Sequence, residues 1–182
     1  HANQVIVSEP TSEVEILDAS YNDVSCNGLS DGSIGITVVG GTPAYSYRWS
    51  NNQQVQNLFD IAAGTYRVTV TDANGCSTTG AYSVTEPSAL NTELLINNVT
   101  CYAGDNGSIH ASALGGTAPY SYEWSTGATA EDISGLMAGN YLVTVTDAHN
   151  CVIYAMAEVH QPQLPIHAEI AATNIRCYGD AN

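Results

Sequence analysis

The sequence predicts an all-β chain built of tandem immunoglobulin-like or PKD-like β-sandwich repeats. Three observations carry that reading. The chain superposes on itself at an offset of 75 residues, apolar side chains alternate with a period of two along each copy, and turn-forming residues separate the alternating runs.

The repeat is the first of these. Cys26 falls on Cys101, Gly40-Gly41-Thr42 on Gly115-Gly116-Thr117, the stretch YSYRWS (45–50) on YSYEWS (120–125), and VTVTDANGC (68–76) on VTVTDAHNC (143–151). The opening HANQVIVSEP aligns with the ends of both copies, and the closing RCYGDAN with their beginnings. The chain therefore reads as a window on a longer array. Residues 1–10 are the last strand of a preceding repeat, 11–87 and 88–162 are complete repeats, and 163–182 begin a following one.

The alternation comes next. Ile34, Ile36 and Val38 share one face of a strand, as do Tyr45, Tyr47 and Trp49, and then Tyr66, Val68 and Val70; the second copy repeats this with Tyr120, Tyr122 and Trp124, then Tyr141, Val143 and Val145. Such half-buried strands suit antiparallel sheets. With a strand before the first cysteine (Val14, Ile16; Leu94, Ile96), the Leu58–Ile61 segment and a closing strand, each repeat has six or seven short strands. A small sandwich with a tryptophan buried in its third strand fits best, and a six-stranded barrel is the alternative.

Turn chemistry is the third. Asp31-Gly32, Gly40-Gly41-Thr42-Pro43, Ala63-Gly64 and Asn74-Gly75 punctuate the first copy. In VTVTDANGC, Asp72 sets a turn and Asn74-Gly75 supplies the positive φ of a hairpin; in the second copy His149-Asn150 replaces Asn-Gly, and asparagine tolerates the left-handed region. Pro43-Ala44 stands where the second copy has Ala118-Pro119, so the turn before the tyrosines need not be the same in both. The links EPSAL (86–90) and QPQLPI (161–166) are short and proline-bearing, which favours a semi-rigid rod of ~30–40 Å per repeat.

Composition bounds the function. Eighteen acidic residues stand against three arginines and no lysine, giving a net charge of −15. That surface repels phosphate backbones and anionic lipid, so neither nucleic acid nor membrane is an expected partner. No apolar run approaches the length of a membrane span. Five cysteines divide into two per complete repeat plus Cys177, and the pairs expected from this division are Cys26–Cys76 and Cys101–Cys151, with Cys177 left unpaired by truncation. Each would close a loop of 49 intervening residues, worth roughly 4 kcal/mol in the chain-entropy model. Disulfides imply an oxidising, extracellular setting. The alternative is reduced, buried thiols; C-x-x-C spacing of the kind zinc sites use does not occur.

The ordered set C…DGSI…GGTPAYSYRWS…AGTYRVTVTDANGC…VTEP resembles the SprB repeat, a module of large surface adhesins in gliding Bacteroidota, over essentially the whole chain. It is also similar to polycystic-kidney-type and fibronectin-type sandwiches, although the W-x-F-G-D-G motif is absent. The resemblance implies a type IX-secreted filament at the cell surface that mediates attachment and gliding, whose partners are neighbouring repeats, extracellular surfaces or polysaccharide, and the motility machinery reached through other parts of the protein.

Catalysis is not expected. His110, His149 and His160 fall opposite Gly35, Asn74 and Thr85, so no histidine belongs to the repeated pattern, and no nucleophile-elbow, HExxH or phosphate-loop motif occurs. Calcium is the one candidate cofactor: Asp31 and Asp72, and Asp105 and Asp147 in the second repeat, flank the cysteines, and oxygen ligands in loops suit that ion. Ordinary turn chemistry explains the same aspartates. Tyr21, Tyr102 and Tyr178 are candidate glycan contacts, since loop aromatics stack on sugars, against the plainer reading of solvated loop tyrosines. A glycan- or calcium-binding stalk module of a large secreted protein is thus the second functional reading.

Overall fold

The computed structural model describes residues 12–164 and 168–170. Residues 1–10 and most of 163–182, read above as parts of flanking repeats, lie outside the described residues, as do Cys177 and Tyr178. Six strands form in each repeat. The first has β1 (Glu15–Asn22), β2 (Gly32–Val39), β3 (Ser46–Trp49), β4 (Leu58–Ile61), β5 (Gly64–Thr71) and β6 (Ser77–Val84). The second has β7 (Asn91–Asn97), β8 (Gly107–Leu114), β9 (Ser121–Trp124), β10 (Asp132–Leu136), β11 (Gly139–Thr146) and β12 (Val152–Val159).

Each repeat is a sandwich and not a barrel. Strands β1, β2 and β4 make one sheet with β2 in the middle, and β3, β5 and β6 the other with β5 in the middle; the second repeat copies this with β7-β8-β10 and β9-β11-β12. Every pairing is antiparallel. The period-two faces meet between the sheets, where Ile34, Trp49, Leu58, Val68 and Val70 are almost fully buried in the first repeat and Ile109, Trp124, Val143, Val145 and Val159 in the second. These residues form two separate clusters, one per repeat. A continuous core does not cross Pro87, so residues 12–162 contain two closed units.

Polar atoms on the core aromatics are satisfied the same way in both units. The Trp49 Nε1–H donates to the Val55 carbonyl at 2.8 Å and that of Trp124 to Ala130 at 2.9 Å. Tyr45 and Tyr120 donate to the carbonyls of Gly40 and Gly115. Each ring thus fills the core while its polar edge closes a loop, which removes the cost of burying an unpaired donor.

The registers fix which loops share an end. Val39, the last residue of β2, leads into the Gly40-Gly41-Thr42 turn, and Thr71 at the end of β5 pairs with Ser46 at the start of β3. The turns 40–45 and 72–76 therefore lie together at one end, called upper here. Gly32 at the start of β2 pairs with Ile61, and Gly64 with Val84. The loop 23–31 and the tail 84–87 therefore lie together at the lower end, eight strand residues or ~26 Å away.

Because the cores are separate, Trp49→Ala should lower the stability of the first unit by about 3–5 kcal/mol and leave the second unit's transition in place. Calorimetry should then resolve two transitions where only the lower one has moved.

The joint between the sandwiches as the candidate functional site

The upper end of each unit is organised by one buried carboxylate. Asp72, only 5% exposed, accepts from the backbone N–H groups of Asn74 at 2.9 Å and Cys76 at 2.8 Å through Oδ1, and from Thr42 at 2.9 Å through Oδ2. Asp147 repeats this with His149, Cys151 and Thr117 at 2.8, 2.9 and 2.9 Å. The GGT motif and the VTVTD motif are thereby two halves of one contact. Glycine is required beside it: Gly41 and Gly116 have φ of 59° and 58°, and a Cβ there would stand 2.8 and 2.7 Å from the aspartate Oδ2.

The Thr42 N–H first, with those of Cys76 and Asn74, holds the Asp72 carboxyl below the usual aspartate range against the opposing effect of burial. For Asp147, burial raises the value and is outweighed by the N–H groups of Thr117, Cys151 and His149 together with the charge of His149. The hairpin that follows keeps its left-handed residue in both copies, Gly75 at φ 86° and Asn150 at φ 65°. A cis peptide bond occurs at the equivalent place in both, Pro43-Ala44 and Ala118-Pro119.

The lower end presents a cysteine on a tight loop. In the first unit the Val24 N–H donates to the Thr85 carbonyl, the Leu29 N–H to the Cys26 carbonyl, and the Gly28 N–H to the Glu86 carboxylate. The second unit matches these with Val99 to His160, Gly104 to Cys101, and Ala103 to Gln161. Asp31 closes the first loop by accepting from the Ser25 hydroxyl and from its N–H at 3.0 Å, and the same two bonds hold its carboxyl below the usual range. In the second unit that seat is taken by Asn106, which bonds the Thr100 N–H and hydroxyl, and not by Asp105, which is exposed.

These two ends meet between the units. Cys26 at the lower end of the first is bonded to Cys151 at the upper end of the second, with Cα atoms 5.7 Å apart. The His149 Nδ1–H donates to the Ser25 carbonyl at 3.1 Å. Leu29 of the first unit and Leu90 and Ile153 of the second line a small cavity beside the cystine.

This corrects the pairing expected from the sequence. Cys26–Cys76 and Cys101–Cys151 do not form; Cys76 and Cys101 are exposed thiols. The reason is the strand path. Cys26 and Cys76 stand at opposite ends of one sandwich, much farther apart than the ~7 Å that a disulfide spans.

The four aspartates singled out for calcium are accordingly not two flanking pairs around cystines. Asp72 and Asp147 spend their oxygens on backbone N–H groups, Asp31 is committed to Ser25, and Asp105 is exposed in the loop that Asn106 closes. Among the described residues, no group of three or more His, Cys, Asp or Glu is gathered as a metal site would require. Tyr21, on β1, and Tyr102, beside Cys101, are 58% and 48% exposed. His149 and Ser25 were not anticipated as joint residues; the one available signal was that His149-Asn150 replaces Asn74-Gly75 within an otherwise repeated hairpin.

The fold and joint define a tandem protein of immunoglobulin-like β-sandwiches linked end to end. Residues 19–54 and 96–129 both match the model of the SprB repeat. No curated protein matches the chain. Among solved structures, the three N-terminal domains of the Highly Immunogenic Outer Capsid protein (Hoc) of bacteriophage RB49 are 19% identical, over 82% of this chain and 59% of that one, with a TM-score of 0.49. The N-terminal four Ig domains of Dscam1 isoform 9.44 are 16% identical over 86% and 48%, with a TM-score of 0.39. The C-terminal 282-residue fragment of intimin, solved with the intimin-binding domain of its translocated receptor, is 12% identical over 80% and 64%, with a TM-score of 0.43. This chain spans less than two thirds of the length of each. At these scores the likenesses are only ones of general shape, and the sandwich assignment rests on the strand order above.

Two outcomes follow from the site. The lowered carboxyls of Asp72 and Asp147 contribute stability that is fully present above the ordinary aspartate value of about 3.9 and is lost as pH falls through their lower folded values. Melting temperatures should therefore hold from neutrality to about pH 4 and drop below it, and Asp72→Asn should flatten that acid limb for the first unit in a pH series of melts. Cys26→Ser should leave both thermal transitions nearly in place while broadening the distribution of distances between spin labels set on the two units.

Proposed function

We propose that the chain is a stretch of an extracellular, structural and adhesive array. SprB repeats are strung end to end in it as a semi-rigid filament at the cell surface, serving attachment and, in the setting the family suggests, gliding motility. The observation that carries this reading is the joint: two units with closed cores are held end to end by a cystine, a hydrogen bond and a short proline-bearing link. A joint of that kind suits a load-bearing rod in an oxidising medium outside the cell. The acidic, lysine-free surface keeps neighbouring rods apart and leaves adhesion to many weak contacts acting together. Its partners on this reading are further repeats along the rod, extracellular surfaces or polysaccharide, and motility machinery engaged by other parts of the protein. Type IX secretion and an origin in Bacteroidota belong to the same proposal, and the role is non-catalytic.

The test is adhesion as a function of valency. Beads densely coated with the protein should attach to glass or polysaccharide films, and free monomer in solution should compete poorly. Micromolar binding of the monomer to one defined glycan, lost in Tyr102→Ala, would overturn the filament reading in favour of a glycan-binding stalk module.

Calcium is checked separately. Since Asp72 and Asp147 already accept from three N–H groups each, melts in calcium and in chelator should agree to within about a degree. A shift of several degrees would assign a specific ion site.

A further inference from the structure

We infer that Cys76 and Cys101 are the two halves of further joints of the same kind, each made to bond another SprB-type repeat. The head cysteine of every repeat is then joined to the tail cysteine of the next. This concerns how repeats are linked and stands whatever the rod adheres to.

The upper end of the first unit carries the receiving half. Around Cys151, the second unit offers Leu90, Val152 and Ile153, and the Cys26–Leu29 loop of its neighbour sits among them, leaving a cavity of about 380 Å³. The equivalent residues of the first unit, Val14, Ser77 and Thr78, line a cavity around Cys76 of about 520 Å³. The framework behind the two is the same: the Asp72 and Asp147 contacts, and the Gly41 and Gly116 N–H groups donating to the Ser12 and Ser88 carbonyls at 2.9 and 2.8 Å. The socket at Cys76 thus shares the framework of the one at Cys151, and among the described residues no loop of another unit lines it.

The lower end of the second unit carries the inserting half. Cys101 is presented as Cys26 is, on a loop tied by the Gly104 N–H to the Cys101 carbonyl and by the Val99 N–H to the His160 carbonyl. Its Ala103 takes the left-handed φ of 57° that Gly28 takes at 79°. Both thiols are exposed, so neither is committed to its own core. Joints made at Cys76 differ in two respects: Ser77 and Thr78 make the lining more polar than Val152 and Ile153 do, and Asn74 replaces His149 and spends its amide on the Thr42 hydroxyl at 2.9 Å, which removes the histidine bond to the incoming loop.

The bond forms by thiol–disulfide exchange. Two cysteine thiols give up two protons and two electrons to form one S–S bond, and a disulfide oxidant such as glutathione disulfide is reduced to two thiols, through a mixed disulfide on one cysteine. A short tether makes the step effectively intramolecular.

The test uses residues 12–162, which contain both closed units, fused to a second copy of themselves so that Ser12 follows Pro162 as Ser88 follows Pro87. Refolded in a glutathione redox buffer, alkylated and digested without reduction, the fusion should yield Cys26–Cys151 from each copy and one new cystine from Cys101 of the first copy to Cys76 of the second. Only Cys76 of the first copy and Cys101 of the second should be alkylated. Ser substitution of either member of the new pair should free its partner to alkylation and leave the thermal transitions in place. Four alkylated cysteines, or Cys26–Cys76 and Cys101–Cys151 peptides, would overturn the inference.

Discussion

The structure depends on a carboxylate that accepts from backbone N–H groups on two different turns. Asp72 binds its own hairpin through Asn74 and Cys76, and the turn between β2 and β3 through Thr42. The link is reinforced by the Ala73 N–H, which donates to the Thr42 carbonyl at 2.9 Å and so adds a backbone bond between the same two turns. With both, the turn that crosses from one sheet to the other is fixed to the hairpin of the second sheet, and the glycines of the GGT motif let the backbone come close enough. The same contact decides where the tail cysteine points, since Cys76 and Cys151 donate their own N–H to the aspartate. A polar interaction internal to one unit thus sets the geometry of a covalent bond to its neighbour.

The lower end answers with a different device. Its cysteine loop is pinned to the residues just after the last strand of the same unit, Thr85 and Glu86 in one repeat and His160 and Gln161 in the other. The link to the next repeat begins with Glu86 and Gln161 themselves. The loop that carries the bond and the chain that carries the connection are therefore one rigid piece, and the cystine and the peptide link cross the joint side by side. Two connections so placed resist bending of one unit against the other more than either alone.

How far this was legible in the sequence can be seen residue by residue. The strands and their inward faces were, because period-two alternation needs no tertiary information: Ile34, Trp49, Val68 and Val70 all stand in the core. The hairpin was legible too, and Asn150 takes the positive φ that its residue type allows. The cystine was not. Counting strands from Cys26 to Cys76 gives four, an even number that would return the chain to its starting end. But β3 and β4 both run downward, in different sheets, β3 antiparallel to β5 and β4 antiparallel to β2. One descent is shared by two short strands, the parity is odd, and the cysteines finish at opposite ends. Asp31 makes the loop-closing bonds that turn chemistry predicts, and Asn106 closes the equivalent loop equally well, so the loop needs a short hydrogen-bonding side chain and not a negative charge.

The placement of the cystine also changes how the chain bears tension. Pulled from its two ends, a chain with Cys26 bonded to Cys151 transmits force along residues 12–26, through the sulfurs, and on from residue 151, bypassing the 125-residue separation between them. Unfolding either core cannot then lengthen the molecule by the roughly 400 Å that this stretch would give when fully extended. Cystines closed within each unit would instead have left the segment from 77 to 100, including β6, the link and β7, open to being drawn out at every joint. Stapling across the joint protects the part of the chain that lacks a hydrophobic core, where packing alone resists force least, and leaves the sandwiches to be held by their own tryptophans and valines.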